Sequence, residues 1–215
     1  MRNRVSPDGS LIEAPSGSRG LLMGNRGVLQ PRHYELRKPF AIKPWIACIL
    51  KDKTGAPLPK ADIKYTRLFL LDEITAFAAG HRPCGQCQRR RFQEFVQFWC
   101  KANQKEPSRL DEFLHQERLA QLEPDGLVHS ALSKLPSGTM VKFGRSGQSH
   151  LWLWKKLFPW AVSGYQTPID VREETVVEVL TPPSIVKAFK AGFPLALNAD
   201  LTVHPSIAKC LSGSN

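Results

Sequence analysis

The stretch LFLLDEITAFAAGHRPCGQCQRRRF, residues 68–92, carries most of what this sequence says about fold and function. An apolar run leads into a short helix, which Asp72 can cap and Gly80 can end, since these residue types favour the two ends of helices. A proline-fixed turn then carries the thiols of Cys84 and Cys87, and three arginines follow. Two thiols at the spacing Cys-x-x-Cys hold a metal ion or form a reactive disulfide.

Outward from this stretch, the pattern predicts an α+β fold. We expect a helical zinc-type N-terminal half with a short β-hairpin, followed by a small antiparallel β half and a C-terminal helix. Residues 44–50 and 62–71 are the predicted strands of the hairpin. Apolar residues at steps of three and four predict a helix over 84–104, and a third helix follows over 109–122. Segments rich in β-formers, separated by Gly, Ser or Pro, occupy 139–181.

Composition divides the chain into three parts. Residues 1–32 are rich in Gly, Ser, Pro and Arg, which predicts a flexible basic Gly/Arg arm. Residues 33–122 form the predicted metal-binding region. Residues 123–215 form a small β-rich region with a terminal helix.

Positive charge is confined to one half of the chain. Residues 1–105 carry 19 Lys and Arg against 8 Asp and Glu, whereas residues 106–215 carry 11 of each, so the first half holds the whole net charge of +11. A one-sided basic field attracts polyanions, and we expect nucleic acid as the partner, with DNA favoured. The candidate phosphate contacts are the arginines around the thiols and one from the arm: Arg82, Arg89, Arg90, Arg91 and Arg26.

A metal ion at the Cys-x-x-Cys turn needs further ligands. Cys100 lies 13 residues beyond Cys87 on the same predicted helix, about 20 Å away, and is excluded. Cys48 is the predicted third ligand, because its strand can pair with the strand that precedes the turn. The fourth position stays open, with His81, His115 and His33 as the candidates. Zinc is the expected metal, while a redox dithiol and plain buried cysteines remain alternative interpretations.

The segment DEITAFAAGHRPCGQCQ, residues 72–88, resembles the second half of the Ada-type zinc-binding domain of the bacterial adaptive-response methyltransferase. Cys84 and Cys87 match the second ligand pair of that family, and Gly80, Arg82 and Pro83 match its turn. The resemblance implies zinc binding, an Ada-like region within 33–122 and a DNA-facing role in DNA repair. The family's first ligand pair has the spacing Cys-x-x-x-Cys, whereas this chain has one cysteine in that region, so methyl transfer is not implied. The stretch is also similar to one in a group of uncharacterised bacterial proteins.

A second interpretation is enzymatic. Asp111 and His115 fall one turn apart on the third predicted helix, and Glu117 lies near them. A histidine with an acidic neighbour can act as a general base, which would suit a hydrolase acting on nucleic acid or on a phosphorylated substrate. The alternative is a solvated helix face with ion pairs. A third interpretation is a structural zinc module that organises a protein partner.

The location follows from what the sequence lacks. No apolar run reaches the roughly 18 residues of a membrane helix, and no apolar segment follows the basic N-terminus as in a secretory signal. Five cysteines at irregular spacing do not indicate a disulfide framework. We therefore expect a cytoplasmic protein without a membrane partner, in an oligomeric state that the sequence does not predict.

Overall fold

Strands dominate the structure, a computed structural model that describes residues 3–15, 20–29, 38–50, 65–195 and 204–212. In these residues, thirteen short strands form two sheets, accompanied by five helices. The strands of the first sheet are β1 (Arg4–Val5), β2 (Leu11–Ile12), β3 (Leu22–Asn25), β4 (Ile46–Ile49), β5 (Leu68–Leu70) and β6 (Arg82–Pro83). Those of the second are β7 (Val128–Ala131), β8 (Thr139–Phe143), β9 (Gln148–Leu153), β10 (Lys156–Ala161), β11 (Gly164–Tyr165), β12 (Ile169–Asp170) and β13 (Val176–Val179). The helices are α1 (Glu73–Ala78), α2 (Arg89–Asn103), α3 (Leu110–Leu122), α4 (Pro183–Lys190) and α5 (Ser206–Ser212).

The first sheet corrects the expected fold class. Its strand order is β2-β1-β5-β3-β4-β6, so the N-terminal half is a sheet, and the prediction of a helical N-terminal half is wrong. The predicted hairpin is also absent, because β3 lies between β5 and β4 and pairs antiparallel with both. Residues 1–32, the expected arm, supply β1, β2 and β3. Three strands of this sheet have only two residues, too few for a period-two pattern to be visible in the sequence.

Helix α1 is the centre of the molecule, and all six of its residues are buried. Ala76 contacts the apolar cluster of the first sheet, and Ile74 contacts that of the second. Phe77 packs into a third cluster, which α2, α3 and α4 supply with Phe95, Leu110 and other apolar side chains. A helix with apolar contacts on all sides is stable only when it is enclosed, so α1 holds the two halves of the chain together.

The end of α1 fixes the turn that carries the thiols. Asp72 caps the helix by accepting a hydrogen bond from the Thr75 N–H at 2.8 Å. At the other end, the N–H of Gly80 donates to Phe77 O and that of His81 to Ala76 O, which is the Schellman arrangement. It needs a left-handed residue, and Gly80 supplies it with φ +73°. The chain then leaves the helix directly into β6.

The second sheet has the order β11-β10-β9-β8-β13-β7, with β12 paired to β10. Strands β8, β9 and β10 form an antiparallel meander in the region where the sequence predicts β-rich segments. The last predicted helix is α4, whose buried face joins the α2 cluster. Within the described ranges, no helix combines the length and the apolarity needed to cross a lipid bilayer.

Candidate metal centre

Pairing of β4 with β6 brings the three cysteines together. The two strands run parallel, with Ile46 opposite Arg82 and Ala47 opposite Pro83. The N–H of Cys84 continues this ladder and donates to Ala47 O at 2.9 Å. The next residue of β4 is Cys48, so its side chain reaches the turn from the strand beside it. The Sγ atoms of Cys48, Cys84 and Cys87 all lie within 4.8 Å of one another, close enough to hold one metal ion.

The two thiols of the motif lie in a turn that precedes α2, which begins at Arg89 and not at Cys84. The N–H of Gln88 donates to Cys84 O at 3.0 Å and closes this turn. The N–H of Gln86 points back to Cys84 Sγ at 3.4 Å, a contact that stabilises a thiolate. Local N–H groups, rather than the end of a helix, therefore face the sulfur.

The electrostatics of the cluster favour one thiolate held by two thiols. Hydrogen bonds from the Cys48 and Cys87 thiols hold the pKa of Cys84 well below its ordinary value. The contacts of Cys48 with Cys84 and Cys87, together with burial, raise the pKa of Cys48. For Cys87, the contact with Cys48 lowers the pKa, but the contact with Cys84 and burial outweigh it, so the pKa is raised. Cysteine sulfur is a soft donor, and a bound metal ion would displace the remaining protons into solvent. Three such sulfur atoms are a suitable ligand set for zinc.

The structure does not bring the candidate fourth ligands to this cluster. Among the described residues, the group that could hold a metal ion consists of the three cysteines. His81 is fully buried elsewhere, where its Nε2 accepts a hydrogen bond from Arg26 Nε at 3.2 Å. His115 lies edge-on to the ring of Phe40, with the ring centroids 5.0 Å apart. His33 falls outside the described residues.

Two of the five candidate phosphate-binding arginines are exposed, namely Arg89 and Arg90 at the start of α2. Arg82 forms a two-pronged ion pair with Asp111, at 2.7 and 2.9 Å. Arg91 pairs with a buried glutamate on α1 and with another on its own helix. These two guanidinium groups are engaged in ion pairs, so they are less available to phosphate than the exposed pair.

Arg26, the fifth, is fully buried. Its guanidinium lies over the ring of Trp45, with Cζ 3.7 Å from the ring centroid. No feature of the sequence indicated this contact, since the two residues are far apart along the chain and neither belongs to a recognisable motif.

The three candidate catalytic side chains have different partners. Both carboxylate oxygens of Asp111 accept hydrogen bonds from Arg82. Glu117 accepts from the N–H and the hydroxyl of Ser184, at 2.8 and 2.6 Å, and so holds the start of α4. Burial, followed by the charges of Arg118 and Lys43, lowers the pKa of His115. The carboxylates of Asp111 and Glu117 therefore both bind neighbouring parts of the fold, as side chains on a packed helix do.

One residue that carries no signal in the sequence supports the cluster. Gln88 Nε2 donates to Ala47 O at 2.8 Å, so the carbonyl beside Cys48 accepts hydrogen bonds from both ends of the Cys84–Gln88 turn. This contact joins residues that are 41 positions apart. The contact becomes visible only once β4 and β6 are known to pair.

Comparisons with protein families, with curated proteins and with solved structures find no match to this chain. The resemblance to the Ada-type domain therefore stays a prediction from the sequence, made on the short helix, the turn and the Cys-x-x-Cys motif.

Proposed function

We propose that this protein holds zinc through Cys48, Cys84 and Cys87 and binds DNA beside that metal centre. The observation that carries the proposal is the cluster of three sulfur atoms within 4.8 Å, followed directly along the chain by two exposed arginines. Zinc would join β4 to the turn and neutralise the thiolates. The fourth position of the tetrahedron would be filled from outside the described ligand set.

The charge distribution supports a polyanion as the partner. The whole net charge of +11 belongs to the half of the chain that contains the three cysteines. Arg89 and Arg90 are exposed and form no ion pair with the residues that the structure describes, so their guanidinium groups are available to phosphate oxygens. The likeness of residues 72–88 to the Ada-type domain supports DNA among the polyanions, and DNA damage handling as the setting.

Metal content tests the first part of the proposal. The purified protein should carry about one zinc ion per chain, and Cys48→Ser and Cys84→Ser should lose most of it, because two thiolates bind zinc far more weakly than three. Cys100→Ser is the matched control, since Cys100 lies on α2 outside the cluster. Folded wild-type protein that binds no zinc after exposure to the metal would refute this part.

Duplex DNA binding, followed by fluorescence anisotropy, tests the second part. The double variant Arg89→Gln/Arg90→Gln should weaken binding by at least about tenfold at low salt. The control is Lys101→Gln/Lys105→Gln, which removes the same charge from the other end of α2 and the residues just beyond it, where both lysines are exposed. Equal weakening by the two double variants would show only nonspecific attraction to net charge. That result would contradict a DNA site beside the metal.

A further inference from the structure

A pocket lies apart from the three cysteines, with a volume of about 420 Å³. This is within the range of sites for small molecules. Its apolar wall includes Leu11, Ala78 and Leu122. Its charged side chains are those of Arg26, Lys38, Arg118 and Asp8, which gives the lining a formal charge of two positive.

Two of these charged side chains, Arg26 and Arg118, are buried against the ring of Trp45. Arg26 is 0% exposed and Arg118 is 5% exposed, and the guanidinium carbons lie 3.7 and 4.3 Å from the ring centroid of Trp45. Neither guanidinium makes an ion pair with a carboxylate in the part of the chain that the structure describes. The acidic residues near Arg118 on α3 are Asp111 and Glu117, and these are occupied by Arg82 and Ser184.

Main-chain carbonyl groups satisfy only part of the two guanidinium groups. Arg118 donates to Gly80 O and to Lys43 O, both at 2.6 Å, and Arg26 donates to Gly9 O at 2.8 Å. Three buried donors that belong to residues of the pocket lining have no partner among the described residues, namely Arg26 Nη2, Arg118 Nε and Trp45 Nε1. The charge of Asp8 acts on Arg26, but no carboxylate lies at ion-pair distance from either guanidinium among the described residues. Buried charges with so little compensation cost free energy, and an anion in the pocket would lower that cost.

We propose that this pocket binds a phosphate monoester of a small molecule with an apolar or planar body. Guanidinium groups match the geometry of phosphate oxygens, and a phosphate monoester near neutral pH is mostly a dianion, which balances the two positive charges of the lining. The pocket is larger than a phosphate group needs, so the apolar wall is available to the organic part of the ligand. The proposal depends neither on the metal centre nor on DNA binding.

Arg118 keeps its positive charge at neutral pH. Burial lowers the pKa of Arg118 to about 9, so its guanidinium stays charged. Burial, followed by the charge of Arg118, lowers the pKa of Arg26 well below its ordinary value, and the charge of Asp8 offsets only part of this shift, so an anion beside Arg26 would favour its charged form. The two like charges repel each other, and an anion between them would bind all the more tightly.

Calorimetric titration of the full-length protein with phenyl phosphate, benzoate and phenol at constant ionic strength tests the proposal. Phenyl phosphate should bind with a Kd of about 1 mM or tighter, and benzoate and phenol at least about tenfold more weakly. Absence of binding by phenyl phosphate at about 10 mM would overturn the proposal. Equal binding of benzoate would assign the pocket to carboxylates and would also overturn it.

Two lysines on one loop give a matched pair of variants that leave the core intact. Lys38 and Lys43 are both exposed, but only Lys38 lines the pocket. Lys38→Met should weaken the binding of phenyl phosphate by roughly threefold to fivefold, whereas Lys43→Met should leave it unchanged. Equal effects of the two variants would mean that the anion binds nonspecifically, against the proposal.

Arg118→Met should weaken binding by at least about tenfold, because it removes a buried donor to the anion. Circular dichroism establishes whether this variant folds, and if it does not, the lysine pair decides. Unchanged binding by a folded Arg118→Met protein would place the anion elsewhere and overturn the proposal.

Discussion

Without a metal ion, the three thiol groups of the cluster hold their protons unequally. Hydrogen bonds from its two neighbours keep the pKa of Cys84 low, whereas the pKa values of Cys48 and Cys87 are raised. One sulfur is therefore already a thiolate near neutral pH, and two still carry protons. Cys84 has the lowest pKa of the three because its sulfur contacts both other thiols and also faces the Gln86 N–H.

We expect zinc binding at about pH 7.5 to release about two protons, one each from Cys48 and Cys87, because a cysteine binds zinc as a thiolate. The apparent zinc affinity should then rise by about 100-fold per pH unit while both thiols are protonated in the free protein. Calorimetry in buffers of different ionisation enthalpy measures the number of protons. Cys100→Ser should release the same number, and release of none would contradict the unequal protonation.

At the scale of single residues, the sequence predicts the composition of the cluster better than its surroundings. A Cys-x-x-Cys turn needs a third ligand, and Cys48 is placed for it by the strand in which it lies. The partners of the arginines are different, because Arg82 pairs with a residue 29 positions away and Arg91 with one 18 positions away. No local periodicity encodes such contacts, so two of the four arginines around the thiols, Arg82 and Arg91, form ion pairs although the sequence suggests a phosphate site.

Arg91 joins α2 to α1. The side chain of Glu73 is 6% exposed and that of Arg91 is 16% exposed, and their closest charged atoms are 2.7 Å apart. Burial by itself lowers the pKa of Arg91, but the hydrogen bonds and charge of Glu73, with a contribution from Glu94, outweigh burial and raise it. The pair fixes the start of α2 against the helix at the centre of the molecule.

Arg91→Met should lower the free energy of unfolding by about 3 kcal/mol, because it leaves the Glu73 carboxylate buried without a partner. The double variant Glu73→Gln/Arg91→Met should recover part of this loss. Urea denaturation measures both, with the exposed neighbour in Arg90→Met as the control, for which a change within about 0.5 kcal/mol is expected. A loss for Arg91→Met as small as that of the control would show that the pair does not stabilise the fold.

Arg82 joins the turn that carries the thiols to α3. We expect Arg82→Met to lower the free energy of unfolding by about 1–3 kcal/mol, since it removes two short hydrogen bonds to a carboxylate, and to leave DNA affinity within about twofold. Urea denaturation and anisotropy on the same preparation separate the two effects. If DNA affinity falls as far as in Arg89→Gln/Arg90→Gln, then Arg82 contacts the phosphates directly and its ion pair with Asp111 is broken on binding.

At the scale of elements, the long periodic segments were predictable and the short ones were not. Helices α2, α3 and α4 and the meander β8, β9 and β10 all lie where the sequence predicts a helix or a β-rich segment. In the first sheet, β4 and β5 lie within the predicted strands 44–50 and 62–71, but the sheet as a whole was not predicted. Strands β1, β2 and β6 have only two residues, and β1 pairs in parallel with β5, more than sixty positions away. Local propensity is a weak guide when such pairing and burial decide the structure.

At the scale of the whole molecule, the chain encloses α1 from both ends. Asp72, which caps α1, also accepts a hydrogen bond from the His204 N–H at 2.9 Å. The N-terminal strand β1 pairs with β5, the strand that leads into the same helix. The thiol turn and the pocket lined by Arg118 both depend on how α1 ends, because Gly80 O accepts a hydrogen bond from Arg118 and the residues after Gly80 enter β6.

The ionic-strength dependence of DNA binding is the property that tests the whole charge distribution. Neutralisation of phosphates releases counter-ions, so log K falls linearly with log salt concentration, by about 0.9 for each phosphate contacted on a duplex. If Arg89 and Arg90 each contact one phosphate, the slope of Arg89→Gln/Arg90→Gln should be smaller than that of the wild type by about 1.8.

Lys101→Gln/Lys105→Gln should keep the wild-type slope, since distant charges raise the local field without releasing ions at the contact. Anisotropy over a series of salt concentrations gives both slopes. Identical slopes for the wild type and the arginine variant would mean that these residues do not touch the backbone, and the DNA site would then have to lie on another part of the basic half.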